Sequence, residues 1–314
     1  MQGRILLHIL HSARINPRLN FVQLFRAISS ALRYARRVDL TQRQRDLLQE
    51  WLPNAEVVTD HSWGLVGTVV LELRLRGERY IAKAGDAADH HLAREIRAHR
   101  TWLTPWTSRG SAPQLIRADD EAKLILTRYL PGELVEGTAA EWSPETYRQA
   151  GELLAAFHGQ FAVPDEAYEA RENRRTLDNL RKSHTISPEL TDRLRSEVES
   201  WPAPTATLVP THGDWQPRNW LIDNGIVGVI DFGRADLRPA PTDFARLAAQ
   251  QFRSDPALEP AFFDGYGPDP RDPDTWHRAQ LREAVNTAVW AHQVGDSPFE
   301  QQGHRMIADA LRES

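Results

Sequence analysis

The sequence predicts an α+β chain in two parts: a small antiparallel sheet with one helix, followed by a mostly helical region. Three patterns predict this. "TVVLELRLR" sets Val69, Leu71, Leu73 and Leu75 in alternation with Val70, Glu72, Arg74 and Arg76. Period two over that length is the mark of a strand with one buried face. "HLAREIRAHRTWL" places Leu92, Ile96, His99 and Leu103 on one helical stripe. Beyond the Pro131-Gly132 break, helical patterns dominate, the first running from Ser143 as N-cap and Pro144 at the first turn to Gly159.

Each element follows in order. Residues 1–50 hold nine arginines and three acids. "RILLHIL" is too short for a signal peptide, so residues 1–40 are expected to form an N-terminal arm. "TQRQRDLLQEWLP" reads as a short helix capped by Thr41 and stopped by Pro53. The alternating strand comes next, "RGE" turns the chain, and "RYIAKA" returns as a partner strand. The 91–103 helix leads to "KLILTRYLPG", a strand that runs into the Pro-Gly break. The expected division is therefore 41–130 for the sheet-bearing part and 131–314 for the helical part.

Composition narrows the class. A chain of 314 residues with 41% hydrophobic content can bury a large bilobal core. A net charge of -5 does not mark a nucleic-acid binder. The absence of cysteine excludes disulfides and thiolate metal sites, and fits a cytoplasmic protein. No run of apolar residues is long enough to span a membrane.

The chemistry concentrates in "HGDWQPRNWLIDNGIVGVIDFGRAD", residues 212–236. Asn224-Gly225 is a strong signal for a two-residue hairpin turn, because both central positions need positive φ. That turn sets Asp223 against Ile226 and Asn219 against Ile230, next to Asp231. Directly opposed residues lie about 4.5–5.5 Å apart at Cβ. An amide oxygen and a carboxylate are thereby gathered at the open end of the hairpin, with Asp214 five residues before Asn219. Two oxygen ligands, completed by water and phosphate oxygens, suit Mg²⁺. A further carboxylate can accept a hydroxyl proton, which is the arrangement of a phosphoryl-transfer site.

"HGDWQPRN" followed by "VIDFG" resembles the catalytic and metal-binding signatures of the aminoglycoside phosphotransferase family, small-molecule kinases similar in fold to protein kinases. The resemblance implies a bilobal protein-kinase-like fold, with an antiparallel-sheet N-lobe and a mostly helical C-lobe. It implies ATP and Mg²⁺ as cofactors, Asp214 as catalytic base, Asn219 and Asp231 as metal ligands, and His212 as structural support.

Upstream, "SWGLVGTV" resembles the phosphate-covering loop of the same fold at Gly64, Gly67 and Val69, with Ser62 in place of the first glycine. Lys83 resembles the lysine that holds the α/β-phosphates, and Glu95 its ion-pair glutamate. "LTRYLPG" resembles the hinge, implying adenine contacts from the Thr127 carbonyl and the Tyr129 amide.

The acceptor is expected to be a small-molecule hydroxyl, because no A-P-E motif or long activation segment follows "DFG". An aminoglycoside-type antibiotic is the first candidate. A sugar, choline-like or amino-acid-derived metabolite is the alternative, and a non-catalytic nucleotide-binding module the third. Asp243 reads as a structural residue that stabilises a helix N-terminus and loop. Asp255, Glu259, Asp264, Asp269, Asp272, Asp274, Glu283, Asp296 and Glu300 read mostly as solvated acids, though such a surface would welcome a cation. No nucleic-acid or membrane partner is expected, and the chain is expected to be a monomer or homodimer.

Overall fold

The computed structural model describes residues 40–62 and 67–312. The expected arm and Gly64 of the phosphate-covering loop lie outside those residues. The chain divides into two compact units. One holds the described residues up to Leu92 together with Leu115–Tyr129, and the other holds Ala93–Gln114 and the chain from Leu130 onward.

The first unit is a five-stranded antiparallel sheet in the order β1-β2-β3-β5-β4. Its strands are β1 (Glu56–Asp60), β2 (Val69–Leu75), β3 (Glu78–Ala84), β4 (Leu115–Asp119) and β5 (Leu124–Arg128). Helix α1 (Gln42–Trp51) starts where the sequence predicts. The Thr41 hydroxyl accepts from the Gln44 amide, and the Gln44 side chain accepts from the Thr41 amide. These two bonds satisfy donors that a bare helix end leaves open. Leu48 and Leu52 of this segment pack with Val69, Leu73, Ala82, Ala84, Leu124 and Leu126 on one sheet face.

The other sheet face departs from simple alternation. Glu72 is buried there, accepting from Arg79 Nε at 2.8 Å and facing His61 Nε2 at 3.2 Å. Arg79 in turn stacks 3.5 Å over the Tyr129 ring. The Arg79 hydrogen bond holds the Glu72 carboxyl below its ordinary range. A strand carboxylate is buried because Arg79 neutralises it and His61 hydrogen-bonds to it, a pairing that period two does not encode.

The second unit begins within α2 (His91–Thr101) and is mostly helical. It contains β6 (Glu133–Leu134), α3 (Pro144–His158), β7 (Val163–Asp165), α4 (Tyr168–Asn179) and α5 (Pro188–Ser200). There follow β8 (Ala206–Thr211), β9 (Trp220–Asp223), β10 (Ile226–Val229) and β11 (Asp236–Arg238). Helices α6 (Leu258–Tyr266), α7 (Pro273–Val294) and α8 (Ser297–Ala310) complete the unit. Two small sheets, β10-β9-β6 and β11-β8-β7, carry the loops on which the site is built.

Beneath those loops lies an aromatic core of Trp106, Tyr147, Phe157, Trp215, Trp220, Phe232, Phe244 and Phe262. Gly151 and Gly265 let α3 and α6 cross at backbone distance. A Cβ on Gly265 would sit within 1.9 Å of the Arg148 carbonyl oxygen, and one on Gly151 within 2.1 Å of that of Phe262. Among the described residues no helix is long and apolar enough to cross a membrane.

Candidate active site

The hairpin is registered as the turn chemistry dictates. Ile226 pairs with Asp223, Val227 with Ile222, Gly228 with Leu221 and Val229 with Trp220. Asn224 and Gly225 both take positive φ, 48° and 81°. The Ile230 amide donates to the Asn219 carbonyl at 3.0 Å, which brings Asn219 beside the Ile230–Asp231 corner. Asp231 itself has φ +68°, a left-handed backbone that a residue with a Cβ adopts at a cost of order 1–3 kcal/mol.

Asp214 is buried, 4% exposed, and its carboxylate is fully wired. Oδ1 accepts from Arg246 Nη1 at 2.5 Å and Gln216 Nε2 at 2.5 Å, and Oδ2 accepts from Arg218 Nη2 at 2.7 Å. Burial alone would push this carboxyl upward. Arg246, Arg218 and Arg234 overrule it and hold the group well below the usual carboxylate range. Arg246 is buried as well, and Glu283 Oε1 takes its Nη2 at 2.9 Å.

Asn219 closes the short 3₁₀ turn Pro217–Asn219. Its Nδ2 donates to the Asp214 carbonyl at 2.8 Å, which directs the amide oxygen away from that contact. A donor-committed nitrogen and an uncommitted oxygen fit a hard cation, which takes oxygen ligands. Among the described residues no three His, Asp or Glu side chains cluster as a metal site. A metal here would accordingly draw its remaining ligands from phosphate and water, as Mg²⁺ commonly does.

Behind the loop sits a second buried carboxylate. Asp243 accepts from the His212 amide at 2.8 Å, the Gly213 amide at 2.6 Å and His158 Nε2 at 3.0 Å. Burial would raise its pKa, but the His158 hydrogen bond leads a set of contacts that lowers it. Asp243 thus grips the 212–219 loop from below, the loop-stabilising part of the structural role expected of it, through the loop's amides and not as a helix cap. His212 is locked in turn. Its Nε2 meets the Ile230 carbonyl at 3.1 Å, its Nδ1 accepts from the Asp214 amide at 3.3 Å, and its ring packs among Trp106, Trp215 and Phe232. It bridges loop and hairpin, the supporting part the sequence assigned to it.

Gly213 needs its missing side chain. It has φ +78°, and a Cβ would lie 2.3 Å from the Arg234 carbonyl oxygen.

The remaining expected residues lie elsewhere on the chain. Lys83 sits in β3, half-buried, with Val70 and Ile125 as its direct cross-strand partners. Val69 pairs with Ala84, so it belongs to the opposite sheet face from Lys83. Gly67 adjoins Asp86: a Cβ would come within 2.3 Å of the Asp86 Oδ2. Glu95 is buried on α2.

The hinge expectation needs correction at Tyr129. Its amide is taken by the Arg79 carbonyl at 3.0 Å, which continues the β3–β5 ladder. Thr127 pairs with Ile81 in the same ladder, and hydrogen-bonding direction alternates along a strand. Thr127 and Tyr129 both turn toward β3, and Arg128 turns the other way.

Sequence reasoning missed Gln216, Arg218, Arg246 and His158. Arg218 carried a signal, standing four residues from Asp214 inside the motif. Glu283 was visible only as one acid among many. Most of the other C-terminal acids are consumed locally. Asp272 and Asp296 cap α7 and α8, Arg271 pairs with Glu259 and Asp269, and Glu300 accepts from Thr185.

Comparison with known proteins adds a family match. The phosphotransferase enzyme family matches residues 64–283, well over half of the chain. Aminoglycoside 3'-phosphotransferase of Streptomyces fradiae is 31% identical over 175 residues, 48% of this chain and 63% of that protein. The chain therefore spans somewhat less than two thirds of that relative. The enzyme of the same name from Streptomyces ribosidificus is 28% identical over 241 residues, 66% of this chain and 89% of that protein. Among solved structures, choline kinase LicA from Streptococcus pneumoniae aligns with TM-score 0.61 at 13% identity, covering 86% of this chain and 96% of that one. An aminoglycoside phosphotransferase in ternary complex with ADP and hygromycin B aligns with TM-score 0.60 at 13% identity, covering 87% and 99%. These structures share the protein-kinase-like bilobal fold with this chain.

Proposed function

The chain belongs to the phosphotransferase enzyme family, and we propose that it transfers the γ-phosphoryl group of ATP to a hydroxyl of a small molecule. One observation carries the reading. The hairpin register sets Asn219 beside the Ile230–Asp231 corner, and the Asn219 amide nitrogen is spent on the backbone of Asp214. In this reading a base and two oxygen ligands would be held close together.

In this reading Asp214 accepts the hydrogen of the acceptor hydroxyl and orients its oxygen. A carboxylate kept ionised by arginines is a weak base. That suits a loose transition state in which the hydroxyl proton leaves late. Asn219 Oδ1 and the Asp231 carboxylate would hold Mg²⁺, which neutralises charge on the phosphates when bound. Lys83 would take the α/β-phosphates, with Glu95 orienting it, and Gly67 would cover them. Adenine would meet the Arg128 carbonyl in place of the Thr127 carbonyl, which faces β3.

An aminoglycoside is the first candidate acceptor, since both relatives named above are aminoglycoside 3'-phosphotransferases. The structural likeness to a choline kinase keeps a metabolic amino alcohol as the second. Expression in an aminoglycoside-sensitive bacterial host separates them. Growth at otherwise inhibitory drug, abolished by Asp214→Ala, supports the antibiotic reading. Unchanged sensitivity to every aminoglycoside tested contradicts it and moves the acceptor to the metabolic class.

A further inference from the structure

The three groups that hold the Asp214 carboxylate are not equivalent. Arg246 is 8% exposed and is gripped on its far side by Glu283. Gln216 is buried within the loop. Arg218 is 39% exposed, and Oδ2 is its ion-pair contact. Oδ1 already accepts two hydrogen bonds, so Oδ2 is the oxygen that must receive the acceptor hydroxyl. Arg218 stands in that place.

We propose that Arg218 is a catalytic residue with two positions: it covers Asp214 Oδ2 at rest and passes to the transferring phosphoryl group when a hydroxyl displaces it. The inference rests on the phosphotransferase reading above. Its physical basis is exchange between anions. The exposed guanidinium loses one charge-assisted bond at Oδ2 and regains one on a phosphoryl oxygen, where its planar fork can bind two oxygens at once. The neighbouring Arg246 cannot make this exchange, because Glu283 and burial fix it.

The step balances as an in-line displacement. The acceptor oxygen bonds to the γ-phosphorus while the bond from that phosphorus to the β–γ bridging oxygen breaks. The electron pair of the broken bond leaves with ADP. The hydroxyl proton passes to Asp214 Oδ2, vacated by Arg218, and the guanidinium faces the negative charge on the equatorial oxygens.

Water is an acceptor of known identity, so slow hydrolysis of Mg–ATP by the full chain is the assay. Arg218→Met keeps the apolar stem and removes the charge. Hydrolysis is expected to fall roughly 100-fold in that variant, with part of the rate restored in Arg218→Lys. Hydrolysis by Arg218→Met at the wild-type rate overturns the proposal, as does a loss that Arg218→Lys does not relieve at all. Asp214→Ala distinguishes the two levels. If it hydrolyses ATP like the wild type, the reading of Asp214 itself fails. If it is inactive while Arg218→Met is normal, only the role of Arg218 fails. Thermal unfolding of each Arg218 variant within a few degrees of wild type shows that charge, not folding, was lost.

Discussion

The 212–219 loop has two walls, and they are built differently. On the front wall, Asp214 is held by side chains: Arg218, Arg246 and Gln216. On the back wall, Asp243 is held by two backbone amides and a buried histidine. Both carboxylates are buried and both are kept ionised, yet their partners differ in what they can do. In the proposed reaction the half-exposed Arg218 exchanges, so the front wall would release an oxygen to a substrate. Backbone partners cannot, so the back wall fixes the loop's place. A buried acid beside a catalytic motif is therefore not by itself a catalytic acid; the mobility of its partners decides.

Breaking the two walls should give different phenotypes. Asp214→Ala is expected to cost about 1,000-fold or more in turnover while ATP still binds, with some loss of stability because the buried Arg246 keeps only Glu283 as a partner. Steady-state rates and nucleotide titration check this. Asp243→Ala orphans two buried amides at about 1–3 kcal/mol each. Urea unfolding should show a loss of about 3 kcal/mol or more, and activity should fall with the fold. An Asp243→Ala protein as stable as wild type would remove the distinction between the walls.

Gly213→Ala sharpens the back wall. A left-handed φ costs a side chain roughly 1–2 kcal/mol, and the clash with the Arg234 carbonyl adds to it. The same unfolding assay should place this variant below wild type.

Acid treats both walls alike. Asp214 and Asp243 have folded pKa values below their unfolded ones. Their stabilisation is thus fully present above the unfolded value of about 4. It is lost as the pH falls from there through the lower folded values. Unfolding midpoints should be level from neutral pH down to that region and decline below it, less steeply in Asp243→Ala.

The smallest effect on stability is at Asp231. Asp231→Gly relieves the left-handed strain, which offsets the interactions its side chain loses, so its stability should change little while metal-dependent turnover disappears. Calorimetry and rate measurements on one preparation test both halves.

Much of this was legible in the sequence, and the limits are physical. The Asn224-Gly225 turn fixed the whole register of β9 and β10, because a two-residue loop with positive φ permits one pairing. The Thr41 N-cap was legible for the same reason, since capping is local. Long-range partners were not. Arg246 reaches Asp214 across 32 positions and His158 reaches Asp243 across 85. No spacing rule encodes either contact. The Tyr129 amide was misassigned because motif alignment does not reveal which strand edge a backbone group faces. Period two missed the buried Glu72 because Arg79 neutralises it from the next strand.

The most direct test is phosphate transfer from Mg–ATP by the purified chain to a mixed set of aminoglycosides, hygromycin B and choline-like alcohols, read as the mass of the phosphorylated product. The account predicts one or more phosphate esters with the wild type and none with Asp214→Ala. Esters formed equally well by Asp214→Ala would contradict it.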